Sequence, residues 1–206
     1  TATRMVAIGY EAMTDVTTGA DSIAIGYQAA YYDVGINSVS IGSHAGMANG
    51  GGYNVNIGFR AGSTTTGNSN VAIGNDAMRY LNVAIGASAG SYLLGTQTTI
   101  VGSQAGRFAS GSYNTFMGYK AGYGGTTSAP YSSGTSNTAV GYQALTAFTT
   151  GAANVAVGRH AFKALTTANY GVAIGYDAAP AVTTANAVIA IGNSAAKAVT
   201  EGSDNI

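Results

Sequence analysis

The chain has 206 residues with 31 glycines, two prolines, no tryptophan and no cysteine, and only 8% of its residues are charged. Eight Lys and Arg balance eight Asp and Glu, and the basic residues are spread along the chain, which argues against a nucleic-acid partner. Disulfides and thiolate metal sites are excluded by the absence of cysteine, and no apolar run approaches the ~18 residues of a membrane span.

The first element is MVAIGYEA, residues 5 to 12, and its pattern returns along the whole chain. An apolar tetrad ends in glycine at positions 9, 26, 42, 58 and 74, so that successive copies stand sixteen or seventeen places apart. The step from Gly74 to Gly86 is shorter, at twelve places, and sixteen-place steps resume to Gly102 and Gly118. One long step of twenty-three places leads to Gly141, and three of seventeen lead to Gly158, Gly175 and Gly192. Such self-similarity marks a repeat architecture, read here as one solenoid domain over residues 1–206. Because the chain begins in mid-pattern, it is expected to be a piece of a larger protein.

Alignment on the repeat glycine assigns a task to each position. One place before it stand Ile8, Ile25, Ile41, Ile57, Ile73, Ile85, Val101, Met117, Val140, Val157, Ile174 and Ile191. Three places before it every residue is Val, Ile or Thr, so the tetrad reads as a short strand with one buried face. The apolar series just named is the expected core, and the smaller residues between (Ala7, Ala24, Ser40, Ala72 and their equivalents) are expected to face outward. Either they allow a second chain to approach or they simply meet solvent. The second residue after each glycine is polar and is expected to face water; the third is alanine in all twelve copies, an inward site with room for a methyl group.

A strand, a bend at glycine, a second inward step and a return turn fill the interval from one glycine to the next. The expected fold is therefore all-β, a parallel β-solenoid of about twelve such rungs stacked at the ~4.8 Å strand spacing. Thr-Thr pairs at 17–18, 149–150, 166–167 and 183–184 mark the return turns, with Thr65 and Thr66 one place earlier in a shorter rung. In the short step to Gly86, Met78 to Leu81 must replace that turn, with Tyr80 and Leu81 folded close to the column.

The frame N-[VT]-A-[IV]-G-x-x-A, as in NVAIGNDA at 70–77, NTAVGYQA at 137–144 and NVAVGRHA at 154–161, resembles the head repeats of trimeric autotransporter adhesins. It resembles still more the repeats of phage tail-fibre proteins, where NTAVGYQAL alternates with TTG turns. The resemblance covers residues 4 to 196. It implies a left-handed β-roll, a homotrimer, an extracellular or virion location and a role in attachment. The rung here is longer than the usual unit of autotransporter heads, and that favours the fibre branch.

Signals for chemistry are few. GASAG at 86–90 matches a nucleophile elbow, but Ser88 falls on the outward polar position of the frame and no helix follows. His44 and His160 are seven rungs apart, and Glu11, Asp76 and Asp177 are scattered; no catalytic residue, metal site or cofactor is expected. Tyr10, Tyr27, Phe59, Tyr119, Tyr142 and Tyr176 follow their glycines directly and read as a surface ladder or a docking face for sugars. The one large insertion, residues 123–136 within AGYGGTTSAPYSSGTSN, must bulge from the column. Candidate receptor contacts are Tyr119, Tyr123, Pro130, Tyr131 and Tyr142. The expected function is a structural and adhesive fibre segment with itself, neighbouring fibre domains and a host glycan or receptor as partners. A self-assembling extracellular filament, a bacterial surface adhesin and, less so, an ice-binding solenoid are the alternatives.

Overall fold

A computed structural model describes residues 4–16, 20–32, 35–48, 50–64, 67–78, 82–92, 95–126, 128 and 131–201. The structure is all-β, a parallel β-solenoid, with no helix among the described residues. Twelve short strands precede the twelve repeat glycines: β1 (Val6–Ile8), β2 (Ile23–Ile25), β3 (Val39–Ile41), β4 (Val55–Ile57), β5 (Val71–Ile73), β6 (Asn82–Ile85), β7 (Thr98–Val101), β8 (Thr115–Met117), β9 (Thr138–Val140), β10 (Val155–Val157), β11 (Val172–Ile174) and β12 (Ile189–Ile191). The chain divides into two compact units, residues 1–91 and 92–206, built from the same rung. In the first, β1 to β6 pair in parallel in chain order; in the second, β7 to β12 do the same. The register never slips within either unit, since the middle strand residues align as Ala7, Ala24, Ser40, Asn56, Ala72, Ala84 and as Ile100, Phe116, Ala139, Ala156, Ala173, Ala190.

The corners are left-handed backbone turns repeated in every rung. The glycine itself has φ between +127° and +137°, and the polar residue two places later has φ near +50°, from Glu11 (53°) to Ser194 (54°). A non-glycine residue holds that conformation at little cost only if its backbone is fixed by partners, and it is. Gln28, His44, Arg60, Asp76, Lys120, Gln143, His160 and Asp177 each donate their N–H to the preceding rung, for example His44 to the Tyr27 carbonyl at 2.9 Å and Gln143 to the Tyr119 carbonyl at 2.9 Å. Two residues on, the next left-handed corner donates forward, as Leu145 does to the Ala161 carbonyl at 3.0 Å. The ladder thus continues around the bend. At the glycine no other residue fits: a Cβ on Gly141 (φ +131°) would stand 2.6 Å from the Gly158 carbonyl oxygen. Gly141→Ala combines a disfavoured φ with a backbone collision and is expected to cost about 2–4 kcal/mol in urea unfolding.

The strand face is the reverse of the one the alternation suggests. The small middle residues are inside: Ala24, Ser40, Asn56, Ala72 and Ala84 in the first unit, and Ile100, Phe116, Ala139, Ala156, Ala173 and Ala190 in the second, are all buried. The series expected as core faces out. Ile8, Ile57, Ile85, Met117, Ile174 and Ile191 are exposed, and Ile25, Ile41, Ile73, Val101, Val140 and Val157 are half-buried. The reason is width. Between the strand and the facing inward alanines there is room for one side chain per rung beyond the methyls, and two β-branched residues per strand would overfill it.

The alanine three places after the glycine is inward as expected, with no exposed surface from Ala29 to Ala178. The remaining space is shared between the middle strand residue and the fourth residue after the glycine. Every middle residue larger than alanine faces a glycine: Ser40 with Gly46, Asn56 with Gly62, Ile100 with Gly106, Phe116 with Gly122. Where Met78, Leu145 or Phe162 fills that fourth place, the middle residue is Ala72, Ala139 or Ala156. In the later rungs Phe148, Leu165 and Val182, fully buried, widen the core behind it, and Phe116 meets Phe148 at 5.6 Å between ring centroids.

Return turns stack as the Thr pairs suggest. Thr149 and Thr166 each donate N–H and hydroxyl to the threonine carbonyl one rung on, Thr166 and Thr183, with N–H distances of 2.8 Å in both. Those at 17–18 and at 65–66 lie outside the described residues. So do Tyr80 and Leu81, although Met78 at the start of the short step is buried.

Candidate functional site

A buried ladder that the sequence reading overlooked fixes the start of β2 to β5 and of β7 to β10. Four places before the repeat glycine stand Ser22, Ser38, Asn54, Asn70 and, in the second unit, Thr98, Asn114, Asn137 and Asn154, all buried. Asn137 shows the logic. Its backbone N–H donates to Asn114 Oδ1 at 2.8 Å, its Nδ2 donates to the Gly151 carbonyl at 2.9 Å, and its Oδ1 accepts from the Asn154 backbone N–H at 3.0 Å and from Asn154 Nδ2 at 3.1 Å. Gly171 N–H closes the run on Asn154 Oδ1 at 2.9 Å. The signal lies in the N of the frame N-[VT]-A-[IV]-G. Asn137→Leu keeps the branching at Cγ but strands the buried Gly151 carbonyl and Asn154 N–H, and is expected to lower stability by about 2 kcal/mol or more by thermal unfolding.

The outer corner column carries charges and rings in register. Arg60 Nε pairs with Asp76 at 2.6 Å, Gln28 Nε2 donates to Glu11 at 2.6 Å, and His160 Nδ1 lies 3.0 Å from Asp177. Asp76, by hydrogen bond and charge, holds the Arg60 guanidinium pKa above its ordinary value, and Glu11 does the same to the Tyr10 phenol. His44, in the first unit, meets its own neighbour Ser43 at 2.8 Å, so each histidine has a structural partner within its own unit. No group of three or more potential metal-binding side chains occurs among the described residues.

Rings after the glycine stack from rung to rung. Tyr10 and Tyr27 lie 5.6 Å apart and nearly parallel, Tyr27 meets His44 at 5.3 Å, and Tyr119 stacks on Tyr142 at 5.3 Å. Cations cap them: Arg60 on Phe59 at 5.0 Å, and Arg159 on Tyr142 at 5.8 Å and on Tyr176 at 5.1 Å. Of the two readings of this column, the geometry carries the ladder; the exposed edges of Tyr119 and Tyr142 stay open to contact.

Part of the segment 123–136 keeps the coil. Tyr123 to Gly125 still follow the coil, with Phe108 N–H donating to the Tyr123 carbonyl at 2.8 Å and Gly125 N–H to the Phe148 carbonyl at 2.7 Å. The chain rejoins at Ser132, which bridges Ala109 in parallel and donates its N–H to the Phe108 carbonyl at 3.0 Å. Ser136 N–H is again on the Ser112 carbonyl, at 3.1 Å. Tyr123 to Gly125 and residues 132–136 thus keep the backbone of an ordinary rung, which their Gly, Ser and Thr can take.

Tyr123 and Tyr131 join an aromatic cluster on the return side of the second unit. Tyr131 lies 6.0 Å from Phe108 and 5.2 Å from Tyr92; Tyr92 stacks on Phe108 at 5.1 Å, and Tyr123 meets Phe108 edge-on at 5.1 Å. Arg107 lies over Phe108 at 5.1 Å, and Lys120 links Tyr119 at 5.5 Å to Tyr123 at 5.1 Å. The structure therefore joins the expected contacts Tyr123 and Tyr131 around Phe108, and connects them through Lys120 to Tyr119 and Tyr142. Pro130 lies outside the described residues. Tyr92, Arg107 and Phe108 were missed, since only the insertion folds Tyr131 back onto them. No family model, curated protein or solved structure matches the chain.

Proposed function

We propose that the chain is a structural and adhesive fibre segment, three copies of which pack through their strand faces into a left-handed trimeric roll on a virion or cell surface. The observation that carries this reading is the apolar outer face. Val6, Ile8, Ile23, Ile57 and Ile85 in the first unit, and Met117, Ile174, Ile189 and Ile191 in the second, are all at least 36% exposed. They occupy aligned places in strands with no charged residue, and a contiguous apolar face of that kind marks an interaction surface. Its regular one-strand spacing suits a second copy of the same face, because identical rungs meet at every level. The small middle residues, Ala24, Ala173 and their equivalents, line the inside of each coil; Val and Ile on either side form the contact.

The frame shared with tail-fibre and adhesin repeats supports the same reading, and a trimer presenting the Tyr131 cluster three times gains avidity without new contacts. Antibody raised against the chain tests the location. Gold label on slender fibres of particles or on cell-surface projections supports the reading; label confined to the cell interior sinks it.

A further inference from the structure

Charge along the chain is neutral in total and uneven in place. Residues 77 to 176 contain no Asp or Glu and five cations, Arg79, Arg107, Lys120, Arg159 and Lys163. Two of them belong to the aromatic cluster of the second unit. Lys120 stands in a corner column between Gln104 and Gln143, the residues at the same place one rung before and one rung after. Arg107 lies over Phe108 at 5.1 Å, and its Nε is buried with no hydrogen-bond partner. Neither cation has a carboxylate partner among the described residues, whereas Arg4 and Arg60 in the first unit do.

Tyr92, Tyr123 and Tyr131 are half-buried around Phe108 and present part of their surfaces to solvent, while Phe108 is only 7% exposed. Partly sunk tyrosines with fixed planes suit the C–H faces of pyranose rings, since ring and hydroxyl offer an apolar surface and a polar edge together. Two cations without a carboxylate partner, Arg107 over Phe108 and Lys120 over Tyr123, suit an anion on the same ligand. The cluster lies on the return segment, on residues that the strand faces do not use.

We propose that this patch binds an acidic polysaccharide, with pyranose rings on Tyr131, Tyr123 and Tyr92 and the anionic groups on Arg107 and Lys120. The inference rests on the adhesive reading above and names its ligand class. A carboxylate and a sulfate share the required chemistry, and the test separates them. Calorimetric titration of the purified chain uses oligogalacturonate, its fully methyl-esterified form, heparin-derived oligosaccharide and neutral dextran. Binding of either anionic sugar, weakened by salt, about tenfold weaker in Lys120→Gln and in Tyr131→Ser, and unchanged in Lys197→Gln, is the expected result. Arg107→Gln is expected to behave like Lys120→Gln; because Arg107 also packs on Phe108, the Lys120 variant decides if the arginine variant misfolds. Binding to neither anionic sugar overturns the proposal, as does equal loss in Lys197→Gln, which would mean diffuse charge attraction. Equal binding of the methyl ester, lost in Tyr131→Ser, overturns the acidic specificity and leaves the adhesive function standing.

Discussion

Phe116→Ala together with Gly122→Leu is expected to restore most of the stability that each change alone removes. Phe116 is fully buried in the middle of β8, and its deletion to alanine opens a cavity costing about 3–5 kcal/mol. Gly122 faces it, with φ +54°, and a Cβ added there collides with the Phe116 ring. Leucine at 122 beside Phe116 should therefore prevent the rung from closing. The next rung already contains the proposed replacement: Ala139 is in the middle, and Leu145 occupies the facing corner at φ 52°, fully buried. Leucine tolerates that backbone once the strand residue is small. A double-mutant cycle by chemical denaturation measures the coupling, expected to be favourable and on the order of 3 kcal/mol, at the upper end for residues in contact. Additive losses would show that the two positions do not share one space.

Ile174→Asp and Ala173→Asp, neighbours in β11, should fail in different ways. Ala173 is inside the coil, so a carboxylate there is an unpaired buried charge, and the chain is expected not to fold. Ile174 is 38% exposed on the single chain, and aspartate there should leave each coil intact. In the proposed trimer the same carboxylate would be trapped in an apolar contact three times over. Loss of an isoleucine's burial, about 1.5–3 kcal/mol per chain, and the cost of the charge should weaken association by several orders of magnitude. Circular dichroism with size-exclusion chromatography distinguishes a folded monomer from an unfolded chain. If Ala173→Asp folds and Ile174→Asp does not, the strand faces are assigned the wrong way round.

The difficulty of that assignment shows what the sequence makes legible. Twelve glycines at mostly equal steps place every strand, since a parallel stack needs each rung to return to the same level. The invariant alanine three places later is legible for the same reason, as a site where nothing larger packs. Period-2 alternation, however, says that neighbouring residues face opposite ways and leaves open which face is inside. In Val-Ala-Ile the larger residues look like core, as they are in most sheets with one wet face. Here the buried Asn four places before the glycine decides otherwise, because Asn137 and Ala139 point the same way and Asn137 is fixed inside by the ladder it shares with Asn114 and Asn154.

The candidate site was legible in part. Tyr119, Tyr123, Tyr131 and Tyr142 stand out because they flank the one large insertion. Their common neighbour Phe108 and the cation on it, Arg107, come from an earlier rung and reach the site only because Ser132 re-enters the ladder beside Ala109. Long-range pairing of that kind has no local mark.

Sedimentation equilibrium of the purified chain tests the proposed trimeric strand-face contact most directly. A single species of three times the chain mass, shifting to a folded monomer in Ile174→Asp, is the predicted result. A stable folded monomer at micromolar concentration, with its apolar strand faces left in water, would contradict it.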